Sequence, residues 1–164
     1  MPLTVGQSLP DVTLAAITAD GPEETSKDAL FGGKKVVLFA VPGAFTPTCN
    51  NNHLPGYVEH ADAIKAKGVD TIAVVGVNDV HVMKAWKDAS NTGDSVLFLS
   101  DGSATFTKAA DMVMDGTAFG MGIRSQRYAA LVDNGVVTKI AIEDSPGEAE
   151  NSGATAMLAM LDEA

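Results

Sequence analysis

The sequence KVVLFAVPGAFTPTC, residues 35–49, carries the strongest local indications of structure in this chain. Its first seven residues are almost wholly apolar and rich in β-branched side chains, which is typical of a strand covered on both faces. A turn with Pro42 and Gly43 follows. Thr46 is then a good N-cap and Pro47 suits the first helical position, so a helix begins here with Cys49 as its third residue. The stretch predicts a buried strand that turns sharply into a helix.

Other strands are predicted further along the chain. Residues 71–77 and 95–99 are short apolar runs of the same character as residues 35–41. Residues 128–132 and 136–142 flank an Asp-Asn-Gly sequence, which strongly indicates a β-hairpin.

Helices are predicted between these strands. One spans residues 47–67 with a kink at Pro55, because proline lacks the N–H that a helix interior needs. A second spans about 79–88, a short one follows residues 101–103, and the last spans about 152–161. The inward side chains of the second and last helices are expected to be Val82, Met83, Trp86, Met157, Leu158 and Leu161. This alternation indicates an α/β fold with a central mixed β-sheet flanked by helices.

Length and composition limit the class of protein. The chain has 164 residues, of which 46% are hydrophobic and 20% charged, so residues 1–164 suit one globular domain with a single core. Eleven basic residues against 21 acidic ones give a formal net charge of -10. Such a chain is a poor partner for nucleic acid or for an anionic membrane.

Cys49 is the only cysteine, so no intrachain disulfide and no multi-cysteine zinc site can form. The first residues show neither a basic n-region nor an apolar h-region, and no apolar run is long enough to span a bilayer. We therefore expect a cytoplasmic, reducing setting. The thiol itself is either a buried, inert side chain or a reactive one.

The predicted position of Cys49 favours reactivity. The first turn of a helix has unpaired backbone N–H groups and the positive end of the helix dipole, which stabilise a thiolate over a thiol. The turn also follows the carboxyl end of a strand, where α/β proteins tend to bind ligands. These considerations leave open what the thiolate attacks.

The motif Pro42-x-x-x-Thr46-x-x-Cys49 resembles the signature of the peroxiredoxins. The similarity covers most of the chain in the same order and is closest to the type II, or type five, branch. Besides residues 41–49, the matching stretches are His53-Leu54-Pro55-Gly56-Tyr57, residues 76–79, residues 82–86, residues 100–106 and residues 124–132. The resemblance implies a thioredoxin-like fold and a thiol-dependent peroxidase that reduces hydrogen peroxide and alkyl hydroperoxides.

The resemblance also implies roles for single residues. Cys49 is expected to be the peroxidatic cysteine, whose thiolate attacks a peroxide oxygen and becomes a sulfenic acid. Thr46 would hydrogen-bond thiolate and peroxide, and Pro42 would shield the pocket from water. Arg127 would stabilise the thiolate and the departing oxygen, with Arg124 as the nearest competitor for that role.

Other residues are expected around the pocket. Gly43, Thr48, His53 and Phe119 are predicted to line it. His53 lies four residues after Cys49, on the same side of the helix, so a Cys–His dyad for acyl transfer is a rival interpretation.

A metal half-site of His53 and His60 is a second rival. The two histidines lie about 10 Å apart along a helix, too far to share one ion comfortably. We expect no metal and no cofactor, and we expect His60 and His81 at the surface. Residues 50–52, all Asn, depart from the family pattern near the expected pocket mouth.

The second cysteine of many relatives would fall near Val74 or Ala156, so this chain resembles a one-cysteine member. An external thiol must then regenerate Cys49; glutathione with glutaredoxin is favoured and thioredoxin is the alternative. A homodimer is expected, with residues 112–122 and 42–45 as its contact face. Two other functions stay open: a redox sensor that uses the same cysteine, and a non-catalytic thioredoxin-like binding module.

Overall fold

A computed structural model describes residues 2–163 of the chain. This part of the chain forms nine strands, namely β1 Leu14–Thr18, β2 Gly21–Thr25, β3 Lys35–Val41, β4 Thr71–Gly76, β5 Leu97–Ser100, β6 Val113–Gly116, β7 Gly122–Ser125, β8 Tyr128–Asp133 and β9 Val136–Ile142. It also forms six α-helices, namely α1 Lys27–Phe31, α2 Leu54–Glu59, α3 Ala61–Ala66, α4 Val80–Ser90, α5 Thr105–Ala109 and α6 Ala154–Asp162. A π-helical turn, Cys49–His53, precedes α2, and a 3-10 turn, Thr117–Phe119, follows β6.

Seven of the strands form one mixed sheet in the order β2-β1-β5-β4-β3-β8-β9. The central strands β3, β4 and β5 are parallel, whereas β1 and β2 on one side and β8 and β9 on the other are antiparallel to their neighbours. Strands β6 and β7 form a separate antiparallel ribbon. The predicted α/β architecture with a central mixed sheet and flanking helices is confirmed.

Strand β3 shows how the sheet separates two hydrophobic cores. Val37, Phe39 and Val41 pack into one core, and the alternate residues pack into the other, because successive side chains of a strand point to opposite faces. Helices α2, α3, α4 and α6 contribute buried side chains to the first core, and α1 and α5 contribute to the second. Burial on both faces explains the nearly continuous apolar run that predicted this strand.

The predicted single helix over residues 47–67 is wrong in one respect. The segment is divided into the π-helical turn, α2 and α3, and it breaks at His60 rather than at Pro55. Pro55 occupies the first turn of α2 and directly follows Leu54, whose N–H donates to the Cys49 carbonyl of the π-helical turn. The backbone is helical without interruption from residue 47 to residue 59, so Pro55 lies inside this run.

The other predicted elements are present with small changes at their ends. Asp79 caps α4, whose Met83 and Trp86 are buried as expected, whereas Val82 is only half-buried. Likewise, α6 buries Met157 and Leu161 but leaves Leu158 half-buried. The sequence analysis missed β1, β2, α1, β6 and β7.

Within residues 2–163, no helix combines the length and the apolar character needed to cross a lipid bilayer.

Candidate active site

Cys49 lies where the sequence analysis placed it. Strand β3 ends at Val41, the turn follows, and the chain is helical from Pro47, so that Cys49 is the third helical residue. The Thr46 carbonyl accepts a hydrogen bond from the Asn50 N–H at 2.8 Å, which begins the helix. The side chain of Cys49 has no exposed surface.

Two polar groups contact the buried sulfur. The Thr46 Oγ1 and the Arg127 Nη2 each lie 3.0 Å from the Cys49 Sγ. Arg127 is itself only 2% exposed, and its permanent positive charge favours the thiolate. The thiol is therefore not enclosed by hydrocarbon alone.

The Thr46 hydroxyl has two possible acceptors for its hydrogen bond. It also lies 2.7 Å from the Gly43 carbonyl, and a hydroxyl has a single hydrogen. That hydrogen goes either to the Gly43 oxygen or to the sulfur, and a thiolate attracts it more strongly than a thiol does. The Thr46 hydroxyl contacts the sulfur and the Gly43 carbonyl, not a backbone N–H. The predicted N-cap hydrogen bond from the Thr46 side chain is therefore not formed.

Three hydrogen bonds to two acceptors hold the Arg127 guanidinium. Its Nε and Nη2 donate to the Pro146 carbonyl at 3.2 and 3.0 Å, and its Nη1 donates to the His53 Nδ1 at 2.9 Å. Because the donors of a guanidinium lie in one plane, these contacts orient the Nη2 that faces Cys49.

His53 is a neutral, structural partner of Arg127. Arginine can only donate, so His53 Nδ1 accepts and its Nε2 carries the proton that it donates to the Ser152 carbonyl at 3.0 Å. Burial, together with the nearby Arg127 charge, lowers the pKa of His53 to about 3. With both ring nitrogens engaged, His53 cannot serve as the base of a Cys–His dyad.

The hydrogen-bond partners of His53 lead to residues that the sequence analysis missed, namely Ser152, Tyr57 and Glu143. The Ser152 carbonyl also accepts from the Tyr57 hydroxyl at 2.7 Å, and Glu143 binds the Ser152 N–H and hydroxyl. Burial raises the pKa of Tyr57 well above its usual range, with a smaller contribution from Glu143, so its hydroxyl stays protonated. Ser152 is nearly 100 residues from His53 and Tyr57 in the chain, and no local pattern indicates these contacts.

A cavity of about 510 Å³ is lined in part by Thr46 and Arg127, the two residues that contact the sulfur, whereas Cys49 itself is not among its lining residues. Of the residues predicted for the site, those that line the cavity are Pro42, Thr46, Thr48, Phe119 and Arg127. The other lining residues are Pro47, Met114, Asp115, Gly116, Met121, Pro146 and Gly147. The walls are largely apolar, with the two partners of Cys49 among them.

Gly43 and His53 do not line this cavity, contrary to expectation. His53 lies behind Arg127 and is buried, because its ring packs at a tilt against core aromatics, with its centre 4.8 Å from that of the Phe39 ring. Gly43 is packed against its neighbours, and a Cβ there would lie 3.1 Å from both the Arg124 Nη1 and the Thr46 Cγ2.

Arg124 does not contact Cys49. Its Nε donates to the Met121 carbonyl at 2.8 Å, and its Nη1 lies 3.3 Å from the Val77 carbonyl. Arg124 therefore connects the β7 segment with the end of β4, and Arg127 occupies the position beside the sulfur.

None of the asparagines of residues 50–52 lines the cavity. Asn50 accepts a hydrogen bond from the Trp86 Nε1 at 3.0 Å, and Asn51 and Asn52 are exposed. His81 is also exposed, whereas His60 is half-buried at the break between α2 and α3. No cluster of His, Cys, Asp or Glu suited to a metal ion occurs among residues 2–163.

Comparison with known proteins identifies the family of the chain. Residues 4–158 match the Redoxin family model. The chain is 48% identical to Peroxiredoxin-2C of Oryza sativa subsp. japonica, over 98% of this chain and 99% of that protein. It is 43% identical to the hybrid peroxiredoxin hyPrx5 of Haemophilus influenzae, over 87% of this chain and 59% of that protein.

Solved structures show the same fold. The crystal structure of reduced Prx3 from Vibrio vulnificus in complex with H2O2 is 54% identical, with a TM-score of 0.91 over 97% of this chain and 99% of that one. Peroxiredoxin 5 from Alvinella pompejana is 31% identical, with a TM-score of 0.87 over 99% of this chain and 100% of that one. The thioredoxin-like fold is thus confirmed. The chain belongs to the peroxiredoxin family as a type II, single-cysteine member, and it is a thiol peroxidase.

Proposed function

We propose that this peroxidase works through Cys49, with Thr46 and Arg127 as the residues that assist it. The observation that carries the proposal is the Cys49 Sγ held 3.0 Å from both a hydroxyl and a buried guanidinium. A hydroxyl and a cation at that distance stabilise the thiolate, which is the nucleophilic form of cysteine. No other described side chain contacts the sulfur in this way.

The chemical step balances without a cofactor. The thiolate sulfur forms a bond to the terminal oxygen of the hydroperoxide, and the O–O bond breaks with its electron pair leaving on the other oxygen. That oxygen takes up a proton and departs as water or an alcohol, while Cys49 becomes a sulfenic acid. Arg127 stabilises the charge on the departing oxygen, and the Thr46 hydroxyl orients the peroxide.

The cavity supports hydrogen peroxide and alkyl hydroperoxides as substrates. The related Prx3 from Vibrio vulnificus was crystallised in complex with H2O2. The apolar walls supplied by Met114, Phe119 and Met121 suit an alkyl substituent. Pro42 is assigned the role of shielding the pocket from water. The Thr48 hydroxyl donates to the Gly147 carbonyl at 3.1 Å and so connects two segments that line the cavity. Gly43 supports the wall from behind as the acceptor for Thr46.

An external thiol completes the cycle, because the chain has no second cysteine. The first thiol condenses with the sulfenic acid to release water and form a mixed disulfide, and a second thiol then releases Cys49 in its reduced form. Glutathione with glutaredoxin is our preferred reductant, since a mixed disulfide with a small thiol needs no resolving cysteine. Thioredoxin is the alternative. A cytoplasmic setting, where such thiols are reduced, is part of the same proposal.

Intact-mass spectrometry tests both half-reactions. One equivalent of H2O2 should add one oxygen to the parent protein, and glutathione should exchange it for a glutathionyl group. The Cys49→Ser variant should show neither change and should have no peroxidase activity. Many turnovers with glutathione and glutaredoxin would support the preferred reductant; turnover with thioredoxin alone would replace it. Full peroxidase activity in Cys49→Ser would overturn the proposal.

The second proposal concerns assembly. Phe119, Phe45 and Ile123 are 84%, 47% and 38% exposed, and they lie in or next to the segments expected to form a contact face. Pro42 and Thr46, in the segment around Phe45, line the same cavity as Phe119, so the two segments meet and their exposed apolar side chains suit an interface. We propose that this face joins two copies of the chain. Sedimentation at micromolar concentration should give a dimer mass, and Phe119→Glu should give a monomer; a monomeric parent would contradict the proposal.

A further inference from the structure

The loop that joins β9 to α6 packs across the back of Arg127. Its first residue, Glu143, donates its backbone N–H to the Arg127 carbonyl at 2.9 Å, and the Pro146 carbonyl accepts from the guanidinium. Its end approaches His53 through the Ser152 carbonyl. The loop therefore contacts both Arg127 and the residue that orients Arg127.

Glu143 is a buried carboxyl whose oxygens accept hydrogen bonds from the end of this loop. It is 8% exposed and forms no ion pair within residues 2–163. Its oxygens accept from the Asn151 N–H at 3.2 Å, the Ser152 N–H at 2.7 Å and the Ser152 hydroxyl at 2.5 Å. Because a buried carboxyl without donors is costly, these three bonds fix the Ser152 backbone firmly.

The position of Ser152 is transmitted to the sulfur by a continuous series of hydrogen bonds. The Ser152 carbonyl accepts from the His53 Nε2 at 3.0 Å, which leaves the Nδ1 lone pair for the Arg127 Nη1 at 2.9 Å. The same guanidinium places its Nη2 3.0 Å from the Cys49 Sγ. Each bond specifies the donor or acceptor that the next one requires.

We infer that Glu143 is a positioning residue for peroxide reduction, acting through Ser152 and His53 on the Arg127 guanidinium. This inference rests on the proposed function of Cys49 and Arg127. The carboxylate accepts from the Ser152 N–H and hydroxyl, Ser152 selects the Nε2-protonated form of His53, and His53 then accepts from Arg127. Glu143 itself touches neither the peroxide nor the sulfur.

The variant Glu143→Gln replaces one accepting oxygen with an NH2 donor, which would face the donors of residue 152. The loop end then shifts, and His53 loses the acceptor that orients it. We expect the second-order rate constant for oxidation of Cys49 by H2O2 to fall on the order of tenfold, since misplaced assisting groups have effects of that size or larger. The midpoint of Cys49 alkylation against pH should move to higher pH.

Glu148→Gln is the matched control, because Glu148 lies exposed in the same loop. It should keep the parental rate and the parental midpoint. Thermal unfolding of each variant separates a loss of fold from a loss of positioning. Ser152→Ala removes only the hydroxyl bond to Glu143 and should give a smaller change in the same direction. This second variant also tests the inference if Glu143→Gln does not fold.

A double-mutant cycle with His53→Ala tests whether Glu143 acts on Arg127 through His53. If Glu143 acts through His53, Glu143→Gln should lower the rate less than twofold in the His53→Ala background. A full tenfold effect there, or parental rate and midpoint in Glu143→Gln alone, overturns the inference. The proposed role of Cys49 is tested separately, by oxidation of the parent protein and its absence in Cys49→Ser. The role of Glu143 can therefore fail while that of Cys49 stands.

Discussion

Cys49 has two donors of unequal strength at the same distance. The Thr46 hydroxyl and the Arg127 guanidinium both lie 3.0 Å from the sulfur, but only the second carries a charge. Hydrogen bonds with an ionised partner are roughly twice as strong as neutral ones. The electrostatic stabilisation of the thiolate therefore depends mainly on Arg127, whereas the Thr46 hydroxyl mainly orients the reacting groups.

Arg127→Ala should lower the second-order rate constant for Cys49 oxidation by about a hundredfold or more, which is the usual cost of a lost electrostatic contact at a reacting centre. Rapid-mixing kinetics with H2O2 measures this. Arg124→Ala is the control, since Arg124 does not contact the sulfur, and it should keep most of the activity. Equal losses in the two variants would show that Arg127 has no special role.

His53 should make the protein acid-sensitive. Its pKa is about 3 in the folded protein against 6.5 for an ordinary histidine, because it is buried beside Arg127. The unfolded chain thus binds a proton that the folded protein does not over this pH range. The stabilising effect is complete above pH 6.5 and is lost as the pH falls toward 3, by on the order of 1.4 kcal/mol per pH unit.

Urea unfolding between pH 4 and pH 7 tests this expectation. The free energy of unfolding of the parent should fall more steeply with acidity than that of His53→Gln, which cannot titrate. His81→Gln, at an exposed position of α4, should follow the parent. Identical slopes for the parent and His53→Gln would mean that His53 does not carry this proton linkage.

At the scale of elements, the helical segment around the thiol is unusual. Cys49–His53 is a π-helical turn between the first helical residues and α2. Such turns occur inside α-helices and are frequent at functional sites. Here the turn contains both Cys49 and His53, which contact the same guanidinium. Spacing in an ideal α-helix does not describe this pair.

The ends of α4 illustrate ordinary helix physics. Asp79 accepts a hydrogen bond from the Val82 N–H at 2.9 Å, which satisfies a free donor of the first turn. Asp79→Ala should lower the free energy of unfolding by about 1 kcal/mol. Asp88→Ala, which removes an exposed pair with Lys84, should cost less than about 0.5 kcal/mol. Chemical denaturation compares the two, and an equal loss would contradict the assigned cap.

Some elements could not be predicted from local sequence. β2, Gly21–Thr25, has the sequence GPEET and is an exposed edge strand, so it shows neither alternation nor an apolar run. β6 and β7 have four residues each and form a small ribbon apart from the main sheet. Their strand conformation depends on pairing with other segments rather than on their own residues.

At the scale of the whole molecule, both hydrophobic cores lie against one sheet. Strand β3 supplies buried residues to each of them. We therefore propose that residues 1–164 form a single domain whose two cores cannot unfold independently. Thermal and urea unfolding should each give a single transition, and the transition followed by far-ultraviolet circular dichroism should coincide with the one followed by Trp86 fluorescence. Two separated transitions would contradict a single domain.

Local sequence was sufficient where a few neighbouring residues decide the outcome. The run of residues 35–41, the Pro-Gly turn and the Thr46-Pro47 start together determine a strand, a turn and a helix that begins beside Cys49, since hydrophobic patterning and capping act over short distances. The family motif Pro42-x-x-x-Thr46-x-x-Cys49 lies within the same stretch. The fold class and the reactive thiol were therefore predictable.

Tertiary structure decided which distant groups meet the sulfur. The family resemblance assigned the guanidinium to Arg127 with Arg124 as its competitor, and the packing of the segment before β8 places Arg127, not Arg124, beside the sulfur. The same packing removes His53 from the cavity and joins it to Ser152 and Glu143, nearly 100 residues away in the chain. Hydrogen bonds act over about 3 Å in space and are indifferent to separation in sequence, so no local pattern could determine these contacts.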